Sequence, residues 1–286
     1  MDRHFLITVS EQKSALFGIR FLSDFFSDKS QIKATLFYSM PRPPAVWENE
    51  KNLEADSRQK MQTRQIAATA EAVLEAAKDE GVRLGFSPEN IFLKHQAMEF
   101  SKVTDIIQEG EKGQYDAVIL GRRGLSMLEE AFEESVSKDI FNQTATFPIW
   151  FCRSIQPDRK NVLLYLDGSP SSFSMADHVG FILGKENKHR VDILISEEVK
   201  EPAAVWEKSK AILLNHGVSN SLICHKDQTS EVGHKRILSE VKKEKYAAVA
   251  LGRLEQEQGF LTRLFTSPVC SVLFKELEGA SLWVCH

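Results

Sequence analysis

Three short stretches carry residues whose types and spacing suit anion and nucleoside chemistry. Gly121-Arg122-Arg123-Gly124 is a cationic loop bracketed by glycines, and Ser135-Val136-Ser137 opens a helical pattern further on, with Val136 and Ile140 spaced i, i+4. Glycine permits tight turns and close backbone approach. Free N–H groups at a helix start, with arginines nearby, suit an anion such as a phosphate. The third stretch, Asp167-Gly168-Ser169-Pro170, follows the apolar run Val162 to Leu166. A carboxylate at the carboxyl edge of a parallel sheet lies where ligands bind in open α/β folds, and it can accept from a ribose hydroxyl or a base amine. Asp and Ser are also good helix N-caps. Spacing alone leaves these two readings even.

The elements that must position these residues follow from hydrophobic period. Tyr115 to Leu120 is a short apolar, β-branched run of the kind that makes a buried parallel strand. Earlier runs at Phe5 to Val9, Ile32 to Tyr38 and Asn90 to Lys94 read as strands, and Pro148 to Cys152 as a fifth. Between them, Leu16, Ile19, Leu22 and Phe26 keep helical spacing. So do Ile66, Ala70, Val73, Leu74 and Ala77, with Gly81 as the expected stop, and then Val103, Ile106 and Ile107. Residues 154–160 are polar, include Pro157, and read as a linker. The alternation then restarts with strands at Val162 to Leu166, Val191 to Ser196, Leu222 to Cys224, Ala247 to Leu251 and Ser281 to Cys285. The helices of this second series carry Phe173, Ala176, Val179 and Leu183, then Val205, Ile212 and Leu213, then Ile237 and Val241, then Val269 to Phe274. Such alternation predicts parallel sheets with helices on both faces.

The second series repeats the first. Tyr246 to Arg253, YAAVALGR, restates Tyr115 to Arg122, YDAVILGR, at an offset of 246 − 115 = 131. Val9-Ser10 corresponds to Leu166-Asp167 at 157, His95 to His225 at 130, and Trp150-Phe151-Cys152 to Trp283-Val284-Cys285 at 133. Gly252-Arg253 therefore stands for Gly121-Arg122. The expected domains are 1–153 and 161–286, and the first half carries the extra sequence, in the polar region from Met40 to Arg64. A solvated helix extension is the favoured reading of that region, with a lid or partner surface as the alternative.

Composition bounds the rest. With 286 residues, 42% of them hydrophobic, and a net charge of −4, the chain suits about two packed domains and gives no reason to expect nucleic acid or an anionic membrane as partner. No apolar run approaches the roughly 20 residues that span a bilayer. MDRHFLITVS lacks the long apolar core of a secretory signal. Cys152, Cys224, Cys270 and Cys285 form no CxxC pair and read as small buried hydrophobes in a reducing cytosol. His95 and His225 read as strand-end residues rather than metal ligands, and Trp47 and Trp206, in PAVWE and AAVWE, as packing aromatics. There is no GxSxG and no P-loop lysine, so a catalytic role is not expected beyond a slow ATPase at most.

Taken together, Leu166-Asp167-Gly168-Ser169-Pro170 and Gly121-Arg122-Arg123-Gly124 followed by Ser135-Val136-Ser137 resemble the universal stress protein family in its tandem two-domain form. The family's nucleotide pattern is glycine, two residues, glycine, nine residues, glycine, then serine or threonine. Gly121, Gly124 and Ser135 match it. The resemblance implies two open five-stranded parallel α/β sheets of the adenine-nucleotide α-hydrolase type, related by a pseudo-twofold axis. It implies pairing through the final strands, and contacts to ATP or AMP, with magnesium beside ATP, from Gly121, Arg122, Arg123, Gly124, Ser135, Val136, Ser137, Asp167, Gly168, Ser169, Gly252 and Arg253. It also implies a cytoplasmic stress-response protein acting through an unknown protein partner, an intramolecular pseudo-dimer that can pair further as a homodimer. The departures are specific. Ser10 replaces the acid in the first half, and Glu134 replaces the third glycine. Glu255 stands at the second glycine of the second half, and Ser267-Pro268 replaces its terminal glycine-serine. A carboxylate repels phosphate and proline offers no N–H. The expectation is thus weak nucleotide binding or binding in one half only, with a nucleotide-independent tandem scaffold as the alternative.

Overall fold

The computed structural model describes residues 2–11, 16–42, 53–99, 101–121, 147–153, 156–184, 186, 188–227, 232–252 and 268–285. Their strands are β1 (Arg3–Thr8), β2 (Ile32–Met40), β3 (Ile91–Ala97), β4 (Ala117–Gly121), β5 (Ile149–Cys152), β6 (Val162–Leu166), β7 (Val191–Ile195), β8 (Ile223–His225), β9 (Ala248–Gly252) and β10 (Ser281–Cys285). Their helices are α1 (Phe17–Phe25), α2 (Leu53–Arg83), α3 (Lys102–Lys112), α4 (Pro170–Leu183), α5 (Pro202–Asn215), α6 (Gly233–Glu244) and α7 (Pro268–Glu276).

The strands form one sheet in the order β3-β2-β1-β4-β5-β10-β9-β6-β7-β8. Each half contributes five parallel strands, as the sequence predicts. The two expected sheets are continuous because β5 and β10 pair antiparallel, with Trp283 opposite Trp150. Strands such as Val162–Leu166 are apolar throughout because helices cover both faces. One layer of core takes α1, α2, α4 and α5; the other takes α3, α6 and α7.

The junction carries the most specific packing. The Trp150 and Trp283 indoles stack with centroids 3.9 Å apart and planes 6° from parallel, and both side chains are fully buried. Trp150 Nε1–H donates to His178 Nε2 at 3.0 Å. At the offset of 157, His178 corresponds to Phe21, since 178 − 157 = 21. Phe21 presents its ring edge-on to Trp283, at 6.3 Å and 88°, and Trp283 Nε1 has no acceptor among the described residues. His189 ties the halves further: its ring stacks on Phe25 at 4.1 Å, and its nitrogens face the carbonyls of Phe25 and Lys160.

One expected boundary moves. Gly81 does not end the long helix, which runs on to Arg83. The turn falls at Gly85, whose φ of +93° suits glycine. Gly81 serves packing instead, because a Cβ there would lie 2.6 Å from Ile19 Cδ1 and 2.9 Å from Ile91 Cδ1. The extension before Arg64 is helical from Leu53, and Met61 on it is strongly exposed. Trp47 lies outside the described residues. Trp206 is half-buried and meets His225 edge-on at 5.1 Å. Cys152, Cys270 and Cys285 are buried, whereas Cys224 is only partly so.

His178 makes the junction sensitive to acid. Burial pushes its pKa from 6.5 down to about 3, so the folded protein holds it neutral while the unfolded chain binds a proton below about pH 6.5. The unfolded state then binds more protons, and stability falls by up to ~1.4 kcal/mol per pH unit between about 6.5 and 3. His178→Gln keeps an acceptor for Trp150 without the titration. In urea titrations its stability deficit at pH 7 should shrink and reverse toward pH 4. Parallel profiles for the two proteins would refute this account.

Candidate nucleotide site at the strand switch points

In each half the chain leaves the central strand in one direction and returns on its other side. The carboxyl ends of β1 and β4, and of β6 and β9, therefore flank the crevices where open α/β sheets take ligands. In the second half Asp167 follows β6 and Gly252 ends β9. The two meet through α4. A Cβ on Gly252 would overlap the backbone of Ser171 and Ser172, so only glycine lets the end of β9 press against the first turn of α4.

The loop between Asp167 and α4 is held by its own side chains. Asp167 Oδ1 accepts from the Ser169 N–H at 3.0 Å and from Ser169 Oγ–H at 2.5 Å. Gly168 takes a φ of +80° to close this turn. Ser169 is the N-cap, its Oγ accepting from the Ser172 N–H at 3.2 Å, and Pro170 occupies the first helical position. Capping therefore governs Ser169 and one oxygen of Asp167. The other oxygen, Oδ2, takes no hydrogen bond among the described residues.

The first half differs. Gly121 ends β4, pairs with Cys152 and is buried. Glu11 corresponds to Gly168, since 168 − 157 = 11. It accepts from Tyr38 Oη–H at 2.8 Å, and burial together with that carboxylate pushes the phenol up to about 12. This edge thus carries a carboxylate beside Ser10 that the sequence reading overlooked; the offset that pairs Ser10 with Asp167 also locates it. Arg122, Arg123, Gly124, Ser135, Val136, Ser137 and Arg253 lie outside the described residues, so the assembled part of the site is Asp167, Gly168, Ser169 and Gly252 in one half and Gly121 in the other.

A cleft of about 780 Å³ opens from Gly168 along the outer face of α4 toward the first half. Phe173, Asp177, His178 and Phe181 of α4 line it, with Asp116 before β4 and Lys208 of α5 opposite. Phe173 reads from period as a core residue; it is half-buried and forms this wall instead, with Lys208 Nζ 3.7 Å above its ring. The cleft joins residues 61 apart in sequence (177 − 116), and no local pattern marks it.

No family model and no curated protein matches the chain. Solved structures do. A universal stress protein from Archaeoglobus fulgidus DSM 4304 superposes with a TM-score of 0.66 over 99% of this chain and 97% of its own, at 15% identity. Two shorter proteins match about half of the chain: a universal stress protein family protein from Arabidopsis thaliana with AMP bound, at 14% identity, 53% of this chain, 91% of its own and a TM-score of 0.36; and a universal stress protein in complex with cAMP, at 16%, 44%, 95% and 0.36. The chain therefore has the fold of a universal stress protein. More particularly, it has that fold in its tandem form, matched end to end.

The contact between β9 and α4 gives a direct test. Gly252→Ala must push the strand end away from the α4 backbone and should lower stability by roughly 1–3 kcal/mol. Ser169→Ala, which removes one cap, should cost about 1 kcal/mol. Both are read from chemical denaturation; a neutral Gly252→Ala would mean that β9 and α4 do not press together.

Proposed function

We propose that the chain binds an adenine nucleotide, ATP with magnesium or AMP, weakly or in one half only, and acts as a cytoplasmic universal-stress-type protein through contacts with a protein partner. Residues 1–153 and 161–286 are its two domains on this reading. The observation that carries it is the convergence of Asp167, Gly168 and Gly252 on one switch point, fixed by the backbone contact between β9 and α4. Asp167 Oδ2 faces the nucleoside part, and Gly252-Arg253 leads toward the phosphates. In the first half, Gly121 to Gly124 and Ser135 to Ser137 supply phosphate contacts, while Ser10 and Glu11 stand where a nucleoside acid and a glycine would be. The chain acts by binding, with slow ATP hydrolysis as the most catalysis it would carry.

A second reading is a nucleotide-independent scaffold. It is favoured by one observation: Asp167 is already engaged by Ser169 through its N–H and its hydroxyl, as a purely structural turn would have it.

Native mass spectrometry of the purified protein, followed by calorimetric titration with ATP, ADP and AMP in magnesium, separates the two. Bound nucleotide is expected. Asp167→Ala should weaken it about tenfold, the ~1.4 kcal/mol of one hydrogen bond to a charged group. Gly121→Glu should leave it unchanged if the second half is the working site. A folded protein that binds no nucleotide up to millimolar concentration leaves the scaffold reading.

A further inference from the structure

The pseudo-twofold at Trp150 and Trp283 means that each surface between the halves occurs twice. One copy lies against α1 and the other against α4. Phe21 and Asp24 on α1 correspond to His178 and Phe181 on α4 (21 + 157 and 24 + 157), and Ala247 corresponds to Asp116 (247 − 131). The two copies end differently. Against α1, Gln156 and Arg159 of the segment joining β5 to β6 lie beside Phe21, Asp24, Phe25, Ala247 and Gly279, and only about 10 Å³ of space remains. Arg159 Nε donates to Gln156 Oε1 at 2.7 Å and Nη1 to the Tyr246 carbonyl at 3.4 Å. Glycine is favoured at 279 by a φ of +72°, and the open space it leaves is taken by the Arg159 guanidinium, 2.6 Å from where a Cβ would be. A single connection joins β5 to β6, so it closes one copy. The copy against α4 is the open cleft of about 780 Å³.

We propose that this open cleft receives an extended, arginine-bearing segment of a partner protein, seated as Arg159 seats in the closed copy. The walls differ from their counterparts: Phe181 replaces the carboxylate of Asp24, and the open copy carries its acids elsewhere. Asp116 stands in place of Ala247, and Asp177 in place of Arg20 (177 − 157). Asp116 Oδ2 accepts the His4 N–H at 2.6 Å and the carboxylate also lies in the field of Arg3, while Asp177 Oδ1 bonds His216 Nε2 at 2.7 Å; the second oxygen of each takes no hydrogen bond among the described residues. A guanidinium bonds carboxylates at fixed geometry and stacks on aromatic faces, and Phe173 and Phe181 supply those faces. Lys208, over Phe173, puts a cation at that end of the cleft, so the guanidinium sits toward Asp116 and Asp177.

His178 supplies an independent pointer. It is only 7% exposed, and its ring forms part of the cleft wall. Because Nε2 accepts from Trp150, the proton of the neutral ring is on Nδ1, which has no partner among the described residues. A ring N–H in the wall of a cleft, open to it rather than sealed, fits the backbone carbonyl of an extended segment.

The probe is a labelled peptide copying residues 153–160, RSIQPDRK, titrated into the full chain and followed by fluorescence anisotropy. Saturable binding is expected. A peptide carrying Arg159→Gln, and separately a protein carrying Asp116→Asn with Asp177→Asn, should each bind at least about tenfold more weakly. Ser174→Trp fills the cleft from an exposed helix position and should abolish binding, with circular dichroism and Tm reporting an intact fold. Millimolar AMP should not displace the bound peptide, which separates this site from the nucleotide reading. No saturable binding at millimolar peptide, or binding indifferent to Ser174→Trp, overturns the proposal.

Discussion

The antiparallel pairing of β5 with β10, and the stacked indoles it brings together, is the interaction on which the rest depends. Both strands, IWFC and SLWVC, are buried along their whole length. Left at the edge of a five-stranded sheet, either would offer unpaired backbone and exposed aromatics, a template for aggregation. Pairing them removes both edges at once and buries Trp150 and Trp283 fully. On the opposite face Phe151 meets Phe274 edge-on at 5.2 Å, so the junction is packed on both sides. Aromatic pairs of this kind add roughly 0.5–1.5 kcal/mol beyond their buried area. Covalent fusion supplies the partner strand at high effective concentration, so pairing is insensitive to dilution. The edges that remain, β3 and β8, lie at the far ends of the sheet.

Fusion also frees the halves to differ. In a symmetric homodimer every substitution appears twice; here each copy is encoded separately. One indole N–H has a histidine acceptor, whereas the other has none among the described residues. One interhalf copy is filled by the linker, and the other is open. One carboxyl edge has Asp167 and Gly168, the other Ser10 and Glu11. Burying Trp283 Nε1 without an acceptor costs on the order of 1–3 kcal/mol. That cost is tolerable only because stacking and the His189 bridge between α1 and the linker offset it.

The sequence disclosed the architecture because parallel strands buried on both faces are continuous apolar runs, and because the tandem repeat printed each of them twice. It misjudged residues whose role is set by neighbours distant in the chain. Gly81 looks like a helix stop, yet its reason lies in Ile19 and Ile91. Gly252 reads as a phosphate-loop glycine, and Ser171 and Ser172, distant in the chain, require glycine there as well. The tyrosine repeated in YDAVILGR and YAAVALGR carries no sign of its role in the sequence. Its hydroxyl donates to a buried carboxylate, Glu109 from Tyr115 at 2.8 Å and Asp192 from Tyr246, and these acids are paired with Lys94 and Arg190. Burial and those carboxylates push both phenols up, so they remain neutral donors. The cleft was invisible because it exists only once two halves are laid antiparallel, which places the carboxyl edge of one beside the amino edge of the other.

That geometry gives α4 a double position. Its first turn carries Ser169 and touches Gly252 at the switch point, and its outer face carries Asp177 and Phe181 in the cleft. Fourteen residues span about 21 Å, so the switch point sits at one end of a rigid element whose outer face lines the cleft. Met175, Ala176, Val179 and Ile182 are fully buried, and a close-packed face resists rotation of the helix about its axis. Gly168, by contrast, borders the cleft and belongs to the Asp167 turn. A ligand that reshaped this turn would therefore act on the cleft first at its Gly168 end, without repacking the core. Any coupling between the two surfaces is confined by that packing to the loop before α4, and its size is limited to the difference in affinity the ligand shows for the two loop arrangements.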